Sequence, residues 1–235
     1  MIITVTGGKG GVGKSTTTLN LARELDGVAV DADLATSDLP RGRGPDIHDV
    51  LAGRAAPMDA VEWLGSVRVL SCGRTLEGAR AAELEELPRT LDLLDRKYKH
   101  VVVDTPAGLA RDVGVPVASA DVVLLVTTPK KPALLNALQT RELALDLDTP
   151  VAAIALNRVG PDSDMPDRLE DEFGIPTTAI PESEAVAAAQ ETGAPVRQAD
   201  QESEALARYT ELARTIQECE QRGRGARNSV GNAGR

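Results

Sequence analysis

Aromatic side chains are nearly missing from this chain: Trp63, Tyr98, Phe173 and Tyr209 are all it has in 235 residues. The core must therefore rest on Val, Leu, Ile and Ala, and no row of rings is available to stack single-stranded nucleic acid. Cysteine is scarce as well. Cys72 and Cys219 lie far apart and form no CxxC pair, so neither a disulfide framework nor a cysteine metal site is indicated, and both read as reduced packing residues. Lysine is rare, six of the 26 basic residues, and 36 acids leave a formal net charge of -10. Sequence-independent DNA binding needs clustered Lys and Arg against phosphate, so DNA binding is not expected. Acidic, lysine-poor and alanine-rich, the composition hints at a salt-adapted source. No apolar run is long enough to span a bilayer, and the apolar start at Met1 has no basic n-region, so the expectation is a cytoplasmic protein.

What is present is a rhythm of short apolar strands. Ile2 to Val5, Val28 to Val30, Val67 to Ser71, His100 to Asp104, Asp121 to Thr127, Val151 to Asn157 and Thr177 to Ile180 are strand candidates. Helical patterns alternate with most of them: Lys14 to Asp26, a capped helix in Asp46 to Gly53, a charged stretch from Ala79 to Lys99 interrupted at Pro88, and Pro132 to Asp146. The alternation predicts an α/β fold with a mostly parallel, twisted sheet covered by helices on both faces; with the glycine-rich loop that follows the first strand, the expectation is a single P-loop NTPase domain. One domain over residues 1–219 suits the length. Its closing helix places Leu206, Tyr209, Leu212, Ala213, Ile216 and Cys219 on one face. Residues 220–235 read as a polar tail without stable structure.

The first strand runs straight into Gly7-Gly-Lys-Gly-Gly-Val-Gly-Lys14-Ser15, and a helix follows. Gly8-x-x-x-x-Gly13-Lys14-Ser15 has the spacing of a phosphate loop in the strand–loop–helix setting that the motif requires. Backbone amides over Gly8, Gly10, Gly11, Val12 and Gly13 would cradle phosphates, helped by the helix N-terminus. Lys14 would reach the β- and γ-phosphates, the Ser15 hydroxyl would bind Mg²⁺, and Thr16 would donate to the α-phosphate. Asp104 closes a run of three valines, the position of an acid that holds Mg²⁺ directly or through water.

Lys9, a second lysine near the start of the loop, makes the segment resemble the deviant Walker A motif of the MinD/ParA family of ATPases, most nearly its MinD-like branch. The resemblance extends in motif order over residues 1–219. It implies an ATP-dependent homodimer in which Lys9 crosses to the partner's nucleotide, with ATP or ADP and Mg²⁺ as cofactors. Asp31-Ala-Asp33 corresponds to the family's first switch, where Asp33 positions the attacking water and supports the Mg²⁺ shell. Lys9, Lys14 and Asp33 are the catalytic candidates; Ser15, Asp33 and Asp104 are the metal candidates. Asp104-Thr-Pro-Ala-Gly108 matches the second switch, Asn157 the adenine-reading asparagine, and Pro181-Glu182 the loop beside the base.

An unperturbed aspartate is a poor proton acceptor at neutral pH, so Asp33 acts here by orientation and electrostatics. The implied activity is ATP hydrolysis driving spatial organisation of a division site, a chromosome or a surface machine, together with an unidentified protein partner or activator. Two alternatives stay open: an ATP-dependent ligase or synthetase of the related fold, and a nucleotide-holding scaffold without turnover. Departures from the family are Ser37-Asp38 where asparagine is frequent, and Glu204, Glu211, Glu218 and Glu220 on the last amphipathic segment. Anionic lipid repels those acids, which puts membrane attachment in doubt.

Overall fold

The computed structural model describes every residue except Lys9, Ser37, Arg74 and residues 233–235, with backbone alone described from residue 224 onward. In chain order the elements are β1 (Ile2–Thr6), α1 (Lys14–Glu24), β2 (Val28–Asp31), α2 (Ile47–Leu51), β3 (Val61–Leu64), β4 (Val67–Leu70), α3 (Leu76–Ala81), α4 (Leu87–Lys97) and β5 (Val101–Asp104). They continue with α5 (Arg111–Ala118), β6 (Val122–Thr127), α6 (Lys131–Asp146), β7 (Val151–Val159), α7 (Met165–Phe173), β8 (Thr177–Pro181), α8 (Glu184–Thr192), α9 (Val196–Ala199) and α10 (Glu204–Asn232). The strands form one sheet in the order β3-β4-β2-β5-β1-β6-β7-β8, parallel throughout except for the β3–β4 edge.

Alternation along the strands explains how such apolar runs are buried twice over. Ile3, Val5, Ala29, Val102 and Leu124 pack in one cluster with Leu21 of α1 and Leu212 of α10. Their strand neighbours Ile2, Val28, Val30, Val101 and Val103 turn the other way, onto Leu51 of α2 and Leu87, Leu91 and Leu94 of α4. Further along that second face, Val123, Leu125 and Ile154 meet Val113 and Val117 of α5 and Ala144 of α6. The two-faced parallel sheet expected from the strand rhythm is what forms.

Three local expectations need correction. The stretch from Ala79 to Lys99 is not one helix broken at Pro88 but two, α3 and α4. Pro88 lies in the first turn of α4, where a missing N–H costs nothing. The closing helix does not stop at Cys219; its backbone stays helical to Asn232, with no proline in that stretch to break it. β3 was not expected at all. It turns back onto β4 through Gly65 (φ 63°), and Arg68 stacks 4.3 Å over the ring of Trp63, its cross-strand partner. The Asp46 cap is present as expected: its side chain accepts from the backbone of His48 and Asp49, and Gly53 at φ 69° follows the helix.

Candidate functional site

Parallel pairing brings the carboxyl ends of β1, β2 and β5 together. Asp104 stands opposite Val5 on one side and opposite Asp31 on the other. Ligands in open α/β sheets bind at such strand ends, next to a central strand from which the chain leaves in both directions. Here that strand is β1, and the glycine loop leaves from its end.

The loop's glycines are needed for two separate reasons. Gly11 and Gly13 sit at φ 77° and 100°, where a side chain is strained. Elsewhere space is the constraint: a Cβ on Gly7 would lie 2.2 Å from the Val126 carbonyl oxygen, and one on Gly8 2.8 Å from Asn136. Gly13 caps α1 without any side-chain cap, so the first-turn amides are left for an anion.

Lys14 is only 8% exposed. Burial lowers its pKa, against the opposing charges of Asp104, Asp33 and Asp38. Asp104 is more deeply placed at 2% exposure, and burial pushes its carboxyl up to about 7 despite hydrogen bonds from Ser15 and Thr18 and the charge of Lys14. The Thr18 hydroxyl lies 3.3 Å from Asp104 Oδ1. Lys14, Ser15, Asp33 and Asp104 thus form one cluster, in which burial pulls both the amine and the buried carboxyl toward neutrality. A divalent cation and a phosphate would reverse both tendencies. Two carboxylates and a hydroxyl are the kind of sparse oxygen set that Mg²⁺ uses when phosphates complete its shell. The donor set therefore fits Mg²⁺.

Asp31 is fully buried and accepts the backbone N–H of Asp33 at 3.1 Å. Asp33 in turn caps the loop that follows, accepting from Ala35 at 3.2 Å and Thr36 at 2.8 Å. The intervening Leu34 carbonyl lies 3.0 Å from His48 Nε2, so this buried imidazole, in the tautomer that carries its proton on Nε2, ties the loop to α2.

On the far side of the loop, Asn157 from β7, Pro181 from β8 and Glu182 line a cavity of about 420 Å³ with Val12, Gly13 and Thr16. Asn157 Nδ2 donates to the Val12 carbonyl at 2.8 Å, tying a strand end to the loop across 145 residues. Its Oδ1 is buried without a hydrogen-bond partner. A buried acceptor left so costs about 1–3 kcal/mol, and the exocyclic amine of adenine has the donor it needs. A second cavity, about 320 Å³, is lined by Gly11, Gly13, Lys14, Ser15 and Thr16, and it shares Gly13, Thr16, Arg158 and Gln190 with the first. Base side and phosphate side are therefore contiguous. The glycine cradle and the orphaned amide oxygen fit a nucleotide.

Several residues of this site had no assigned role in the sequence, Thr18, His48, Gln190 and Arg158 among them. Gln190 Nε2 donates to Thr16 Oγ1 at 2.7 Å, yet it sits in an alanine-rich helix with no motif around it. Arg158 lies at φ 58°, a backbone strain that sequence does not display. Lys9, on which the cross-subunit role rests, lies outside the described residues, as does Ser37; Asp38 lines the phosphate-side cavity. Both cysteines are free thiols. Among the described residues no helix is long and apolar enough to cross a membrane.

Residues 3–196 match the family model described as the CobQ/CobB/MinD/ParA nucleotide binding domain. The chain is 34% identical over 230 residues to an uncharacterized ATP-binding protein of Methanocaldococcus jannaschii, covering 92% of this chain and 88% of that one. Among solved structures it is similar to the cell division ATPase MinD of Pyrococcus furiosus, at 30% identity and a TM-score of 0.85 over 93% of this chain and 98% of that one. It is also similar to the septum site-determining protein MinD of Pyrococcus horikoshii complexed with Mg-ADP, at 28% identity and a TM-score of 0.83, covering 92% and 95%.

Proposed function

Because the chain belongs to the CobQ/CobB/MinD/ParA family of nucleotide-binding P-loop proteins, we propose that it is a Mg²⁺-dependent ATPase that works as an ATP-controlled dimer switch. The observation that carries this reading is the clustering of Lys14, Ser15, Asp33 and Asp104 beside a cavity lined by Asn157, whose buried amide oxygen has no hydrogen-bond partner.

In this mechanism the loop amides and Lys14 bind and orient the phosphates, while Asn157, Pro181 and Glu182 hold the base. Ser15 and Asp104, with Asp33 in support, would hold Mg²⁺, which would supply neutralisation of phosphate charge. Asp33 orients the attacking water; the amides of Ala35 and Thr36 both donate to its Oδ1 and hold the carboxylate at the start of the loop. Lys9 of each subunit reaches the other's phosphates, so ATP closes the dimer and hydrolysis opens it. Both switch loops start from neighbouring strand ends, β2 and β5, which supports control of loop order by the bound phosphate. The output is the positioning of a cellular structure, such as a division site or chromosome, through a protein partner or activator yet to be identified.

Light-scattering size measurement of the full chain with Mg-ATP, with Mg-ADP and without nucleotide tests this. A dimer with ATP alone, lost in Lys9→Ala, is the expected result, with phosphate release abolished in Asp33→Ala. A monomer in all three conditions, with nucleotide demonstrably bound, overturns the switch. Accumulation of a phosphorylated carboxylate product would transfer the protein to the ligases of this fold.

A further inference from the structure

On the sheet face that carries α5, the helical layer is incomplete. α6 and α7 stand apart over β6 and β7 and leave a cleft of about 280 Å³. Leu125 and Ile154 form its floor, Leu134 and Leu138 one wall, Leu169 and Phe173 the other. This is where the chain has placed its one phenylalanine. Arg141, from α6, lies with its guanidinium 5.5 Å from the centre of the Phe173 ring, and Arg168 and Lys131 line the same cleft. Glu172 is the acid among the lining residues.

Arg141 is unusual for its electrostatic state. It is half-buried, its Nε is buried without an acceptor, and among the described residues it makes no ion pair or side-chain hydrogen bond. Stacking on a ring satisfies the face of a guanidinium but not its edge, where five N–H donors point outward in a fork. Leaving the buried Nε–H without an acceptor is costly. Shortage of acids does not explain it, since acids exceed bases by ten in this chain. The fork matches a carboxylate edge-on, two parallel N–H···O bonds at once. An apolar body attached to that carboxylate would lie along Leu134, Leu138 and Leu169.

We propose that the α6–α7 cleft, with Arg141 at its centre, is a second ligand site that takes a small organic acid, a carboxylate carried on a short apolar body. The volume lies at the lower edge of small-molecule pockets and favours a compact acid over a peptide or a two-chain lipid. The site is separate from the nucleotide site, although α6 serves both: Asn136 of the same helix backs Gly8 of the glycine loop.

The test is calorimetric titration of the full chain with sodium octanoate and, in parallel, with octanamide, its uncharged analogue, each with and without saturating Mg-ADP. Octanoate is expected to bind one site at least tenfold more tightly than octanamide, in both nucleotide conditions. Arg141→Met should weaken octanoate at least tenfold and leave ADP affinity unchanged. Leu138→Phe, which fills the cleft while keeping the arginine, should abolish binding, and it keeps the question answerable if the arginine variant does not fold. Equal binding of acid and amide, no octanoate binding at about 10 mM, or binding indifferent to both substitutions overturns the proposal. Because binding is read with nucleotide absent as well as present, failure here is distinct from failure of the ATPase reading.

Discussion

Alanine substitution along the glycine loop should separate strain from steric exclusion. At Gly10 a Cβ would meet nothing within 4 Å, so Gly10→Ala should leave stability within about 0.5 kcal/mol of the parent. At Gly11 the space is equally open but φ is 77°; alanine there bears only the left-handed penalty, about 1–2 kcal/mol. Gly13 has both problems. Its φ is 100°, and the new methyl would lie 2.4 Å from Asn157 Nδ2, well inside any real contact. Asn157 must then swing away from the Val12 carbonyl, and the lost hydrogen bond adds about 0.5–1.5 kcal/mol. The total for Gly13→Ala is about 1.5–3.5 kcal/mol. Urea unfolding without nucleotide measures all three. The steric share has its own control: in an Asn157→Ala background, Gly13→Ala should fall to the level of Gly11→Ala. Fluorescent-nucleotide binding should follow the same order, with Gly13→Ala the weakest because the base side of the pocket moves with Asn157. Equal effects at Gly11 and Gly13, or no relief in the Asn157→Ala background, would refute the claim that this amide and this glycine are fitted to each other.

Burial raises the Asp104 carboxyl to about 7, against an ordinary 3.8, so the fold favours its protonated form; stability in the absence of metal should fall as pH rises from about 4 to about 7. The bound on that loss is about 4 kcal/mol, and Asp104→Asn should flatten the slope in urea unfolding at pH 5 and pH 8. His48→Leu removes the bond to the Leu34 carbonyl; it should cost about 1–3 kcal/mol of stability and slow phosphate release, while His48→Gln, which keeps a donor, should restore part of the rate. Cys72 is buried, and its thiol is pushed up to about 12 chiefly by that burial, with Asp31 and Asp33 adding to it. A disulfide reagent at pH 8 should therefore leave Cys72 untouched in the folded protein and modify it on unfolding.

The glycine loop was legible from sequence because every part of it is local. A β-branched run, glycines at fixed offsets and a following helix occupy fifteen consecutive residues, and backbone sterics alone shape them. Asp104 was legible for a related reason: it ends a strand, and strand ends in a parallel sheet collect on one side; Asn157, inside β7, was found through the family resemblance. The boundary of the closing helix was misread because polar Gln and Arg residues after Cys219 suggest solvent, whereas a helix continues until something breaks its hydrogen-bond ladder. Gln190 and His48 were invisible as site residues, one in an alanine-rich helix and the other in a capped turn whose importance lies in what it touches.

Short-range chemistry, then, was enough to say that this chain grips phosphates and that its strands are buried on both faces. Which strands neighbour one another was settled by the packed molecule, since every apolar strand offers the same two faces and only the complete set of helices covers them all. That choice put Asp31 against Asp104, brought Asn157 onto Val12, and left a gap between α6 and α7 in which one arginine has a ring but no anion.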